Sequence, residues 1–181
     1  MRKSTFGILG GVALCAAVGS AVFLMRDRSR PEPLREPSDG KVQVVASFYP
    51  LYFFAQQIGG DTAEVFNVTP AGAEPHDYEP TAHDIARIEK SALLILNGGG
   101  LEAWGPAIEQ TIDQKQTRIV HAGEGLTTQE IAEEGKNMTD PHVWLSPLLA
   151  QRMADTIIQG FISVDPAHTS EYEARDAALK M

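Results

Sequence analysis

The sequence has almost no cysteine: Cys15 is the only one in 181 residues. A single thiol cannot form an intramolecular disulfide, and it cannot build a thiolate metal cluster. Sulfur therefore gives no indication of the redox compartment in which the chain works.

The chain also has few basic residues after its first 40 positions. Residues 41–181 contain nine Lys and Arg against twenty Asp and Glu, which gives a formal charge of -11. Nucleic acid is not expected as a partner, because a phosphate backbone binds clustered cations. A cation is a more natural ligand, although an acidic surface more often serves solubility.

A phosphate-binding loop is missing as well. The glycine run from Gly98 to Gly100 is not followed by Gly-Lys-Ser or Gly-Lys-Thr, and no GxGxxG spacing opens the next helix. We therefore predict that the glycine run forms a turn.

Trp104 and Trp144 fit the lining of a carbohydrate or aromatic ligand site, but packing in a core is the commoner role of tryptophan.

The N-terminus carries the one long apolar run. Residues 6–25 contain no charge, and basic residues flank them on both sides. The run is long enough to cross a bilayer core of about 30 Å as a helix, so residues 1–30 are predicted to insert in the membrane. We favour an uncleaved anchor over a cleaved signal peptide. Residues 31–40, rich in proline and charge, read as a linker.

The body alternates strand and helix patterns. Buried-strand patterns alternate with amphipathic ones, a signature of a parallel α/β sheet flanked by helices. In such sheets ligands usually lie beyond the carboxyl ends of the strands. Strands are predicted over 42–47, 64–69, 93–97 and 118–121, and helices over 51–58, 82–91, 102–114 and 146–164.

Two histidines follow prolines in polar loops. Pro75 precedes His76, and Pro141 precedes His142. Proline restricts its own backbone and that of its predecessor, so each imidazole is presented by a stiff loop. Neutral imidazole binds zinc, and the neighbouring carboxylates of Asp77, Glu79 and Asp140 are placed to hold the other ring nitrogen. The spacing alone is a weak metal signal, since a loop histidine is usually just solvated. Surface positions are predicted for the remaining three: His83, His121 and His168.

Four motifs in order resemble one known family, the zinc and manganese solute-binding proteins of bacterial metal ABC transporters (the TroA-like or ZnuA-like group). They are VVASFYPLYFFAQQIGGD, PAGAEPHDYEPTAHDI, NGGGLEAW and DPHVWLSP, and the similarity runs from Val44 to the C-terminus. The resemblance implies two α/β lobes with a metal in the cleft between them. Residues 41–165 would form the N-terminal lobe.

The resemblance also implies a role for individual residues. His76 and His142 are the metal ligands it predicts, with Zn2+ or Mn2+ as transported cargo and an ABC permease in the membrane as partner. The protein would work outside the cytoplasm without catalysing a reaction. In the family a third histidine or a carboxylate and a further Asp or Glu complete the site from the C-terminal lobe. Residues 166–181 look like the start of the interlobe helix, so we expect the chain to be a fragment whose last helix exposes an apolar stripe.

Two other function classes stay open on sequence grounds. A metal-dependent hydrolase would use the same histidines, with Glu74 or Glu79 as the base. A cell-surface adhesion protein would bind its partner whether or not both histidines are present. The acidic loop 122–140 contains no histidine-rich insertion, which leaves manganese open because carboxylates suit harder ions.

Overall fold

A computed structural model describes residues 40–126, 129–133 and 136–180. The predicted membrane segment and nearly all of the predicted linker lie outside these ranges. Within them, no helix is both long and apolar enough to cross a membrane.

The body is built on a parallel sheet, as the alternating pattern predicted. Four strands are ordered β2-β1-β3-β4, and every neighbouring pair is parallel. Their bounds are β1 Val42–Ala46, β2 Ala63–Asn67, β3 Leu93–Leu96 and β4 Arg118–His121. Since parallel strands end at the same edge, the loops that follow β1, β2 and β3 converge there.

Helices cover both faces of this sheet. The part of the chain that the structure describes contains five α-helices: α1 Tyr49–Gly59, α2 Ala82–Lys90, α3 Gly105–Thr111, α4 Pro147–Val164 and α5 Thr169–Leu179. Val44 and Ile95 pack with α1, α4 and α5 in one apolar cluster, whereas Val45 and Leu94 pack with α2 and α3 in another. Burial on both faces explains why the strands read as continuous apolar runs.

Two of the four predicted helices differ from the prediction by more than one residue. The first helix was predicted to begin at residue 51, but α1 begins at Tyr49 and includes Pro50 in its first turn, where the missing N–H costs no hydrogen bond. The helix predicted over 102–114 is confined to α3, and at its start Glu102 accepts hydrogen bonds from the preceding turn instead of joining the helix.

The acidic loop is also more ordered than the sequence indicated. Within residues 122–140, strands β5 (Glu130–Glu133) and β6 (Lys136–Thr139) form an antiparallel hairpin. Alternation there is weak, and this leaves little sequence signal for a strand.

The expectation of an exposed apolar stripe on the last helix is wrong. Tyr172 of α5 is fully buried, and its ring lies 5.0 Å from that of Phe161 in α4. Burial raises the pKa of Tyr172 to about 12, and its hydrogen bond to Asp165 acts in the same direction. The helix therefore turns its aromatic side chain into the body.

Candidate metal centre

The two proline-led loops bring their histidines together. His76 lies in the loop between β2 and α2, and His142 lies between β6 and a short 3-10 helix, Val143–Leu145. Their Nε2 atoms are 3.4 Å apart, and the ring centroids are 5.3 Å apart. Residues separated by 66 positions in the chain thus meet at one edge of the sheet.

His142 is oriented by the aspartate two residues before it. Its Nδ1 lies 2.7 Å from Oδ1 of Asp140, and its backbone N–H donates to the same oxygen at 3.0 Å. Both hydrogen bonds lower the pKa of Asp140, and the backbone hydrogen bond has the larger effect. Because the carboxylate accepts at Nδ1–H, the neutral ring presents its lone pair at Nε2, towards His76.

The loop of His76 is ordered by local hydrogen bonds. The backbone N–H of Asp77 donates to the carbonyl of Glu74 at 3.2 Å. Beyond it, Tyr78 donates to Asp84 at 2.9 Å, and Thr81 and Asp84 form a capping box that starts α2. Burial, together with the hydrogen bond to Asp84, raises the pKa of Tyr78 to about 12. These contacts fix the end of the loop against the helix.

A cavity of about 570 Å3 adjoins the histidine pair. One wall is apolar: the ring of Trp144 lies 5.2 Å from that of His142 and 4.7 Å from that of Phe48. Trp144 borders this cavity and also packs against the core, and Trp104 is buried in the core as expected. Sequence reasoning did not single out several residues that line the cavity: Phe48, Tyr49, Asn67, Thr69 and Leu101.

The other three histidines lie elsewhere. His121 Nε2 is 3.3 Å from Glu109, and His168 Nδ1 is 2.7 Å from Asp165. His83 is only partly on the surface, and its Nε2 is buried without a hydrogen-bond partner. Among the described residues, no group of three or more His, Cys, Asp or Glu side chains is placed to hold a metal. The arrangement around His76 and His142 thus offers two nitrogen ligands.

Solved structures show which class of protein has this fold. The Zn(II)-bound ZnuA-like domain of AdcA from Streptococcus pneumoniae is 33% identical and superposes with a TM-score of 0.68, covering 78% of this chain and 51% of that one. A Mn-bound periplasmic metal-binding protein from Candidatus Liberibacter asiaticus is 26% identical with a TM-score of 0.68, covering 77% and 52%. The chain has the α/β fold of these metal-binding proteins.

The sequence comparison gives the family. A family model described as the zinc-uptake complex component A, periplasmic, matches residues 44–181, and the chain belongs to this family. The high-affinity zinc uptake system protein ZnuA of Bacillus subtilis is 37% identical over 144 residues, covering 74% of this chain and 45% of that protein. The resemblance inferred from the four motifs is confirmed. The chain spans about half the length of the relatives it matches.

Proposed function

We propose that this protein captures a divalent transition metal outside the cytoplasm and delivers it to an ABC permease, with His76 and His142 as protein ligands. One distance carries the proposal. Zinc–nitrogen bonds of about 2.0–2.1 Å at a tetrahedral angle place two ligand nitrogens about 3.3 Å apart. The observed Nε2–Nε2 separation is 3.4 Å.

Zinc is the favoured cargo, and manganese is the second candidate. Imidazole suits zinc, whereas manganese prefers carboxylate, carbonyl and water oxygens. Relatives are named for zinc uptake and zinc binding, and one neighbour is Mn-bound.

The two imidazole nitrogens fill half of a tetrahedral coordination shell. We assign residues 41–165 to the N-terminal lobe and 166–181 to the start of an interlobe helix, with the remaining ligands from water or from a second lobe.

X-ray absorption at the zinc edge tests the proposed ligands directly. The full chain loaded with one equivalent of Zn2+ is expected to give two imidazole nitrogen scatterers at about 2.0–2.1 Å, completed by oxygen. The His76→Ala, His142→Ala double variant should lose the imidazole signal. A metal shell made only of oxygen in the unaltered chain, or an unchanged imidazole signal in the double variant, would contradict the assignment.

The contact between Asp140 and His142 leads to a further prediction. Asp140→Ala is expected to weaken Zn2+ binding about 10- to 100-fold, because the ring loses the acceptor that fixes its tautomer and orientation. Competition against a zinc indicator dye measures the change. Asp165→Asn is the matched control, since Asp165 makes a 2.7 Å contact with His168 away from the site. Equal affinities of Asp140→Ala and the unaltered chain would show that this contact does not contribute.

A further inference from the structure

A buried carboxylate lies between the two histidine loops. Glu102 is 6% exposed and follows the glycine turn after β3. Its Oε1 accepts from the hydroxyl of Ser47 at 2.5 Å and from the backbone N–H of Asn97 at 2.7 Å, and its Oε2 accepts from the N–H of Gly98 at 3.1 Å. One side chain thus ties the end of β1 to the end of β3.

One branch of this network reaches the loop that carries His76. The carbonyl of Ser47 accepts from the backbone N–H of Thr69 at 2.9 Å and from its hydroxyl at 2.8 Å. Thr69 is 6% exposed and begins the loop after β2. The position from which the His76 loop departs therefore depends on Ser47, whose hydroxyl is bound by Glu102.

The other branch reaches the loop that carries His142. The side-chain amide of Asn97 donates to the carbonyl of Pro141 at 3.0 Å, in a buried contact. Gly99 packs on the same proline: its φ is +67°, and a Cβ placed on it would lie 3.7 Å from the Cβ of Pro141. Glu102 binds the N–H groups of Asn97 and Gly98, so it holds the turn against which Pro141 rests.

We propose that Glu102 is a positioning residue for the metal pair, and that its carboxylate sets the separation of His76 and His142 through Ser47 on one side and Asn97 on the other. The inference rests on the proposed function. It differs from a purely stabilising role, in which Glu102 would only satisfy the backbone of the glycine turn. If Glu102 is a positioning residue, replacing it changes the geometry of the metal ligands. If it only stabilises the fold, replacing it changes only the fraction of folded protein.

Glu102→Gln separates the two roles. The amide keeps one acceptor oxygen, but its NH2 group meets an N–H donor of the turn, so the network is disturbed with little change in volume. Zn2+ affinity is expected to fall about 10-fold or more. The visible absorption of the Co2+-loaded protein should also change, because it reports the arrangement of ligands around the ion. Ser47→Ala, which removes one donor, should show a smaller change of the same kind.

Ile88→Ala is the control for stability alone. Ile88 is fully buried in the cluster on the other face of the sheet. This variant should lower the melting temperature at least as much as Glu102→Gln, yet keep Zn2+ affinity within twofold and leave the Co2+ spectrum unchanged. The proposal is overturned if Glu102→Gln binds Zn2+ within twofold of the unaltered chain with the same Co2+ spectrum, or if Ile88→Ala loses as much affinity.

The His76→Ala variant, measured in the same series, distinguishes failure of the positioning role from failure of the metal site itself. If His76→Ala weakens Zn2+ binding while Glu102→Gln does not, the positioning role fails and the metal site stands. If His76→Ala binds Zn2+ as tightly as the unaltered chain, the proposed ligand set fails and the role of Glu102 fails with it.

Discussion

Replacing both His76 and His142 with alanine is expected to lower the Zn2+ affinity of the full chain by about 1,000-fold or more. Four-ligand zinc sites have apparent binding free energies of about 10–16 kcal/mol, or roughly 2.5–4 kcal/mol per ligand. Two imidazoles then correspond to a dissociation constant on the order of 1–200 µM. Isothermal titration calorimetry at neutral pH covers this range, and the double variant should show no saturable binding.

The chain provides a matched control for this experiment. His121 and His168 each lie beside a carboxylate, at 3.3 Å from Glu109 and 2.7 Å from Asp165. The double variant His121→Ala, His168→Ala removes the same number of imidazoles and should keep the affinity of the unaltered chain. A comparable loss in both double variants would mean that zinc binds histidines without regard to the 3.4 Å pair.

Phe161→Ala is expected to reduce the free energy of unfolding by about 3–5 kcal/mol. Phe161 is fully buried in α4, where its ring contacts Tyr172 of α5 and lies against Gly59 of α1. Its removal leaves a cavity at the point where three helices meet. Since domains of this size are stable by about 5–15 kcal/mol, the loss is a large fraction of the total. Urea titration followed by circular dichroism measures it.

Phe53→Ala gives the comparison for an exposed phenylalanine. Phe53 is 39% exposed, so less apolar area returns to water when it is truncated. A shift in the urea midpoint much smaller than that of Phe161→Ala is expected. A shift for Phe161→Ala as small as that for Phe53→Ala would show that the contact between α4 and α5 contributes little to the stability of the body.

The sheet could be predicted because its signals are local. Strand β3 consists of four buried apolar residues, and Thr81 caps α2 where the sequence placed its start. The hairpin of β5 and β6 was missed because its residues lack a clear alternation of apolar and polar side chains. The burial of Tyr172 was missed because it depends on the packing of α1 and α4, which periodicity within one helix does not show.

The closeness of the two candidate histidines was easier to predict from the sequence than the contacts that support them. A histidine after a proline is visible in the sequence, as is the acidic residue beside His142. Glu102 has no such neighbour in the sequence, because its partners Ser47 and Asn97 follow two different strands. A buried hydrogen-bond network is a property of the fold, and a single sequence without aligned relatives does not display it.

The two alternative functions have less support. The relatives are zinc-binding transport proteins, which is consistent with a protein that is not an enzyme. A hydrolase would require a base near the metal, and both candidate bases, Glu74 and Glu79, are solvent-exposed. Adhesion would make partner binding indifferent to chelators, and so a chelator-insensitive interaction would favour that class over metal capture.

The half-exposed setting of the histidine pair has a kinetic consequence. The His142 side chain is 35% exposed and lines the cavity together with His76, so an ion in the cavity lies beside the pair. Association should then be governed by diffusion and by the loss of water from the ion. Substitutions around the pair would chiefly change the dissociation rate of the ion. Stopped-flow measurement of metal release into a chelator would therefore show their effect more clearly than association rates.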